Sequence, residues 1–103
     1  MSEASIKPGD APGLLLLEGV LDHRSGPPLR ENGQRLILGA ATSEIVINCA
    51  AVRRSTSVGL ALLLAFMRDA KAAGKTLRLH DLPRDMRQIA QVCSVAEFLP
   101  TEA

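Results

Sequence analysis

The sequence predicts an α/β domain in which a mostly parallel sheet packs against three or more helices. A length of 103 residues suits one hydrophobic core, and 47% hydrophobic with 22% charged residues is typical of a globular chain. Strand-like and helix-like segments follow one another in the order β-β-α-β-α-β-α. Such alternation favours right-handed crossovers between parallel strands. We therefore expect about four strands, only the N-terminal one antiparallel, in a single domain spanning residues 1–103.

The first half of the chain predicts a β-hairpin followed by a helix. An edge strand is expected at residues 4–7, because residues 8–13 are almost all turn-forming types. The continuous apolar run at residues 14–20 is typical of a strand buried on both faces. A helix then begins near Pro27 and Pro28, since proline is tolerated in a first turn. Its apolar residues recur at helical spacing: Leu29, Leu36, Ile37 and Ala40.

The second half contains the clearest strand and the most apolar helix. Residues 44–49 are short and β-branched, as strands are. A helix is expected at residues 57–73, because Gly74 favours the left-handed conformation that ends helices. Another strand follows at residues 75–81, and Pro83 opens a last amphipathic helix. The apolar tail, residues 95–99, is expected to pack onto the domain.

Composition and charge exclude several classes of function. A net charge of +1 gives no strong field to attract a polyanion, and the chain has no Trp or Tyr on which bases could stack. Nucleic acid is therefore not an expected ligand. The N-terminal residues lack the basic and apolar regions of a secretion signal. The longest wholly apolar run, residues 60–67, is far shorter than the roughly 20 residues that span a bilayer, so we expect a cytoplasmic protein that does not insert into a membrane.

The cysteines and the possible enzyme motifs give no prediction of catalysis. Cys49 and Cys93 lack metal-type spacing and are expected to be reduced, buried thiols, so neither a metal nor a cofactor is predicted. Ser57, His80 and Asp22 could form a hydrolase triad. A nucleophile elbow, however, needs glycine two residues before and two residues after the serine. Gly59 stands at the second of these positions, but Ser55 stands at the first.

The segment Gly74-Lys75-Thr76 resembles the end of a phosphate-binding P-loop. A P-loop leads from a strand into a helix, so that helix amides face the phosphates. These residues instead leave a predicted helix and enter a predicted strand. Their expected role is to end one element and begin the next.

The strongest functional candidate is a polar segment at the start of the apolar helix, which we call the knob: Arg54, Ser55, Thr56, Ser57 and Val58. The first amides of a helix lack internal partners and carry partial positive charge, so this position tolerates anions. One reading makes Ser57 the N-cap of the helix. Three consecutive hydroxyls exceed what one cap requires, so the other reading is a contact surface for a partner.

The helix after the knob carries more apolar side chains than one face needs. A helix docked on a sheet requires an apolar stripe of only somewhat over 100°. Leu60, Leu63, Leu64 and Met67 form one inward stripe, and Leu62 and Phe66 then point elsewhere. Two readings stay open for this surplus: contact with flanking helices, or an exposed interface for a partner.

Four segments together resemble the STAS domain family, named for sulfate transporters and anti-sigma factor antagonists. They are residues 17–22 (LEGVLD), 44–49 (EIVINC), 57–60 (SVGL) and 77–83 (LRLHDLP). The resemblance covers nearly the whole chain and implies the STAS-like fold. In the antagonists of this family a kinase phosphorylates a Ser or Thr that follows an Asp. By alignment on Gly59, Ser57 takes the phosphorylated position and Thr56 takes that of the aspartate.

Residues 58–64 and 68–75 are more similar to the stand-alone STAS subunits of the ABC transporter that maintains lipid asymmetry in the Gram-negative outer membrane. This resemblance implies a non-catalytic partner of the transporter's ATPase subunit, held at the inner membrane by the complex. The implied alternative is an anti-sigma factor antagonist regulated by phosphorylation of Ser57. The expected contact residues are the knob with two helix residues and two residues of a neighbouring βα loop: Arg54, Ser55, Thr56, Ser57, Val58, Leu62, Phe66, Asp22 and His23.

Overall fold

The computed structural model describes residues 4–93, Leu99 and the backbone of residues 101–102. Within these residues the chain forms one sheet of five strands, ordered β1 to β5 across the sheet, and three helices. Strand β1 runs antiparallel to β2, and the remaining neighbours are parallel. The predicted mostly parallel sheet with an antiparallel N-terminal strand and three helices is thus confirmed, and β5 adds a fifth strand beside β4 that was not predicted. In chain order the elements are β1 Ser5–Pro8, β2 Leu14–Leu21, α1 Gly26–Gly39, β3 Glu44–Ser55, α2 Ser57–Ala72, β4 Thr76–His80, α3 Arg84–Val92 and β5 Thr101–Glu102.

Strand β3 extends six residues beyond the predicted end at Cys49, and this extension determines where the knob lies. Residues 51–55 continue to pair with β2, so that Glu18 faces Ala51 and Leu21 faces Ser55. Two register shifts absorb the extra residues of β3, as β-bulges do. The predicted end of this strand at Cys49 was therefore wrong. Alanine and arginine in this stretch are not strong β-formers, and pairing with the apolar β2 overrides that weak local signal.

All three helices cover one face of the sheet. On β2 and β3 the residues Leu15, Leu17, Ile45 and Ile47 are buried, while the alternate residues of β2 are only half-buried. The core also contains Met86 of α3. The expectation that β2 is buried on both faces was wrong, because successive right-handed crossovers in one direction along the sheet place every helix on the same side.

Helices α1 and α2 pack closely enough to bury the apolar surplus of α2. Leu62 is 5% exposed and Phe66 is fully buried. A Cβ atom at Gly33 of α1 would overlap the ring of Phe66, so the glycine makes room for the aromatic side chain. The expectation that Leu62 and Phe66 form an exposed partner surface was wrong, because both residues are buried and α1 packs against Phe66. Leu64 and Met67, expected to point inward, are only partly buried against the core.

A partly buried ion pair joins the same two helices. Asp69 of α2 accepts both terminal guanidinium nitrogens of Arg30 of α1, with Nη2 lying 3.0 Å from Oδ1. Gln34 Nε2 also donates to Asp69 Oδ1, at 3.3 Å. A buried carboxylate is tolerated only when it is paired and hydrogen-bonded, and these contacts satisfy that requirement.

The remaining predictions concern the end of the chain and the cysteines. Leu99 is buried, as expected for the tail, whereas residues 95–98 lie outside the described residues. Helix α3 begins at Arg84 with Pro83 as its N-cap. Cys49 is buried, and burial raises the pKa of its thiol to about 12. Cys93 is exposed, contrary to expectation, because it follows the last turn of α3.

Candidate partner-binding site

Three βα connections meet at the carboxyl ends of the parallel strands, where such folds gather their functional loops. They follow β2, β3 and β4. Together they enclose an open pocket of about 350 Å³. The loop after β2, the knob and the first turn of α3 all contribute to its lining: Val20, Leu21, Asp22, Arg54, Ser55, Thr56 and Asp85.

Thr56 is the residue that caps helix α2. It has an extended backbone, and its hydroxyl oxygen accepts a hydrogen bond from the backbone N–H of Val58 at 3.2 Å. The expected N-cap, Ser57, is instead the first residue of the helix. Sequence alone could not separate the two, because either hydroxyl suits an N-cap. Such a cap contributes about 1 kcal/mol.

The carbonyl of Leu21 fixes the knob to the end of β2. It accepts the backbone N–H of Thr56 at 2.9 Å and the Thr56 hydroxyl at 3.3 Å. Thr56 therefore holds the helix start on one side and the neighbouring strand on the other. The knob is attached to the sheet at the point where the β2–α1 loop begins.

Gly59 allows the knob to close on the sheet. A Cβ atom at this position would overlap Ser55 Oγ and would lie 3.1 Å from Leu21 Cβ. Ser55 Oγ occupies that space and donates to the carbonyl of Thr56 at 2.9 Å. Any larger residue would displace the Ser55 hydroxyl and crowd Leu21, so glycine suits this close approach.

Ser57 and Val58 present different surfaces. The side chain of Ser57 is exposed, and its hydroxyl makes no hydrogen bond within residues 4–93. Val58 is half-buried, and a Cβ atom at Gly26 would lie 3.0 Å from Val58 Cγ1. The starts of α1 and α2 therefore touch, and the Ser57 hydroxyl remains accessible beside this contact.

The β2–α1 loop is held by Asp22 and Ser25. Asp22 Oδ1 accepts the backbone N–H groups of Arg24 and Ser25, at 2.9 Å and 3.1 Å. These hydrogen bonds, that of Ser25 foremost, hold the pKa of the Asp22 carboxyl below its usual value. His23 and Arg24 are exposed at the tip of the loop.

The structure brings most of the predicted site residues to one edge. Arg54, Thr56, Ser57 and His23 are exposed there, and Ser55, Val58 and Asp22 are partly exposed. Leu62 and Phe66 belong to the core. Sequence reasoning missed two residues of this edge, Asp85 in the pocket and the buried Ser25. The position of Asp85 just after the loop that follows β4 is the same signal that selected Asp22 and could have selected Asp85 as well.

The pocket does not assemble the hydrolase triad considered above. Of the three candidate residues only Asp22 lines it, and neither Ser57 nor His80 does. Gly74 has φ of 72° and follows α2, and the amine of Lys75 binds carbonyls at the end of α1. The expected helix stop and strand start at this segment are thus confirmed. Among the described residues, none of the helices combines the length and the apolar composition that a membrane span requires.

Comparisons with solved structures identify similar folds. A subunit of the Acinetobacter MlaFEDB complex in an ATP-bound conformation is 17% identical, with a TM-score of 0.81 over 95% of this chain and 99% of that chain. The unphosphorylated anti-sigma factor antagonist SpoIIAA is 19% identical, with a TM-score of 0.72 over 97% and 88% of the two chains. An anti-sigma factor antagonist from Mycobacterium paratuberculosis is 17% identical, with a TM-score of 0.74 over 98% and 85%.

Comparisons of sequence point to the same group. No curated protein matches the chain at significant similarity. The model of the family described as "Mlab, STAS domain" matches residues 6–100. Because this match covers almost the entire sequence and the fold agrees with it, the chain belongs to the STAS domain family in its MlaB branch.

Proposed function

We propose that this chain is a non-catalytic STAS subunit of an ABC phospholipid transporter that maintains outer-membrane lipid asymmetry. It binds the transporter's MlaF-like ATPase and supports the activity of that subunit. The family match supports this role, as does the likeness to a subunit of the MlaFEDB complex. The complex holds the chain on the cytoplasmic side of the inner membrane without direct insertion.

The observation that carries the proposal is the exposed Ser57 on a fixed support. Thr56 and Gly59 fix the backbone on both sides of this residue. A surface that is already ordered loses little conformational entropy on binding. The knob is therefore suited to docking on another protein, with Arg54 and His23 at its border.

The proposal is tested by the affinity of the purified MlaF-like ATPase of the same organism for variants of this chain. Ser57→Glu introduces a charge and bulk at the centre of the surface and should weaken binding at least tenfold. Ser43→Glu is the matched control, because Ser43 is exposed at the opposite end of the domain. Equal affinity of the two folded variants would remove the knob from the interface, and an ATPase that does not bind the wild-type chain would overturn the proposed function.

A second candidate function is supported by the same serine. The Ser57 hydroxyl is exposed at a helix start, and SpoIIAA, which has a similar fold, has been solved in unphosphorylated and phosphorylated forms. An anti-sigma factor antagonist controlled by phosphorylation of Ser57 would gain about two negative charges there. Intact-mass measurement after incubation with the anti-sigma factor kinases of the organism decides between the roles. A phosphoform that disappears in Ser57→Ala favours the antagonist, whereas tight ATPase binding without any phosphoform excludes it.

A further inference from the structure

Ser25 is a buried polar residue at a surface loop, which is unusual enough to require a reason. The residue is 3% exposed. The hydroxyl donates to the carbonyl of Val20 at 2.8 Å and accepts the backbone N–H of Asp22 at 3.0 Å. Ser25 therefore closes the loop across its base, between the end of β2 and the start of α1.

Asp22 closes the same loop from the opposite direction. Its carboxylate accepts the backbone N–H groups of Arg24 and Ser25, while its own N–H donates to Ser25. Each of the two side chains thus binds the backbone of the other residue. With one carboxylate oxygen turned toward the loop backbone, the groups displayed at the tip are His23 and Arg24.

The loop and the knob form one continuous surface. Asp22 lines the same pocket as Arg54, Ser55 and Thr56. The carbonyl of Leu21, the residue just before Asp22, accepts both hydrogen bonds from Thr56. Only one peptide unit therefore separates the loop from the carbonyl that anchors the knob. A change in the geometry of the loop should also shift the border of the knob.

We propose that Asp22 and Ser25 are positioning residues of the docking surface, which hold the β2–α1 loop so that His23 and Arg24 meet the ATPase beside the knob. The proposal rests on the proposed function and revises the sequence-based expectation that Asp22 is itself a contact. A loop held in its bound conformation spares the complex the entropy of ordering it. Loosening this loop should weaken binding without unfolding the domain.

Two substitutions of Asp22 separate positioning from direct charge contact. Asp22→Asn removes the charge but keeps an oxygen that can accept the two amides, whereas Asp22→Ala removes both. The dissociation constant for the purified ATPase should rise about tenfold in Asp22→Ala, comparable to the ordering of one or two side chains. Asp22→Asn should recover most of that loss. Equal losses in the two variants would make the charge the contact and overturn the positioning role.

Ser25→Ala provides an independent measurement on the other half of the pair. It should also weaken ATPase binding about tenfold, since the same loop is released. The amide resonances of residues 22–25 should move in Ser25→Ala and Asp22→Ala and return toward wild type in Asp22→Asn. If Ser25→Ala does not fold, the two Asp22 variants still decide the question.

The control is Lys75→Met, which removes hydrogen bonds from a side chain to backbone carbonyls at the opposite end of α1. It should lower stability and leave the affinity for the ATPase unchanged. If folded Asp22→Ala and Ser25→Ala bind as tightly as wild type, the inference fails while the proposed function stands. If the wild-type chain and Lys75→Met do not bind the ATPase, the proposed function itself fails.

Discussion

The two ends of the sheet use the same kind of hydrogen bond for different purposes. At the carboxyl ends of the strands, Asp22, Ser25 and Thr56 bind backbone groups and leave hydroxyls and charged side chains facing solvent. At the amino ends, Lys75 donates to the carbonyls of Ile37 and Ala40, both at 2.8 Å, and ends helix α1. The first set orders a surface, and the second satisfies the last carbonyls of a helix.

The pockets at the two ends differ in the same way. The amino-end pocket has a volume of about 270 Å³ and is lined mainly by apolar residues of the hairpin and of α1, among them Pro8, Pro12, Leu14, Leu36 and Ala40. The carboxyl-end pocket contains two aspartates, an arginine and two hydroxyls. Every helix that follows a parallel strand begins at the carboxyl end, so capping residues and loop side chains collect there. Whether a polar residue follows or precedes a parallel strand is therefore more informative about its role than its residue type.

Replacing one glycine by alanine at each end of the sheet should give the largest difference in stability and in ATPase binding. Gly59→Ala forces Ser55 to rotate and crowds Leu21, so we expect a loss of about 2 kcal/mol of unfolding free energy and weaker ATPase binding. Gly39→Ala meets no atom within 4 Å and should be neutral or stabilise by about 0.5 kcal/mol. Urea unfolding and ATPase affinity measure both effects. Similar behaviour of the two variants would mean that the knob is not closely packed.

Removing the ion pair between α1 and α2 should lower the stability of the domain without changing its affinity for the ATPase. Breaking a buried pair costs about 3–5 kcal/mol, but the Arg30 side chain is 37% exposed, so we expect a loss nearer 2 kcal/mol for Asp69→Ala. The affinity of the folded variant for the ATPase should not change. A large loss of affinity would show that the contact between α1 and α2 shapes the docking surface.

Removal of the Lys75 amine should have a smaller effect, confined to stability. Lys75→Met keeps an apolar stem of similar length but leaves the carbonyls of α1 to water, so we expect a loss of about 1 kcal/mol. Lys71→Met is the matched control, because Lys71 is exposed on α2. Chemical denaturation of both variants tests this difference. Equal midpoints would show that the Lys75 hydrogen bonds do not contribute.

The smallest expected effect is a pH dependence that originates at the carboxyl end. The pKa of Asp22 is lowered from 3.8 in the folded state by the amides of Ser25 and Arg24. The stability that the ionised Asp22 carboxyl gives the folded state is therefore complete above pH 3.8, the pKa in the unfolded chain. It is lost as the pH falls through the lower pKa of the folded state. Asp22→Asn should remove this part of the acid dependence. The urea unfolding midpoints of wild type and Asp22→Asn should be measured at neutral and at acidic pH. A difference between the two proteins that is the same at both pH values would contradict the account.

Most helices and strands were predictable from the sequence because strong local signals separate them. Gly74 ends α2 with a left-handed conformation, and Pro83 precedes α3. The errors arose where tertiary pairing overrides local preference. Residues 50–55 look like a loop but extend β3 because β2 is available as a partner, and burial of Leu62 and Phe66 depends on a helix distant in sequence.

The candidate site was predictable in position but not in detail. The hydroxyl cluster and Asp22 follow from the order of strands and helices. That Thr56 caps the helix while Ser57 stays accessible depends on the register of a single residue. Ser25 carries no sequence signal, because a serine in a loop is ordinarily exposed, and only its contacts with Val20 and Asp22 distinguish it.

Amide hydrogen exchange of this chain, with and without the purified MlaF-like ATPase, tests the docking surface most directly. The carboxyl-end segments, residues 22–25 and 54–59, should exchange more slowly in the complex. The amino-end segments, residues 8–14 and 36–43, should exchange at the same rate with and without the ATPase. Protection of the amino-end segments alone would contradict the account.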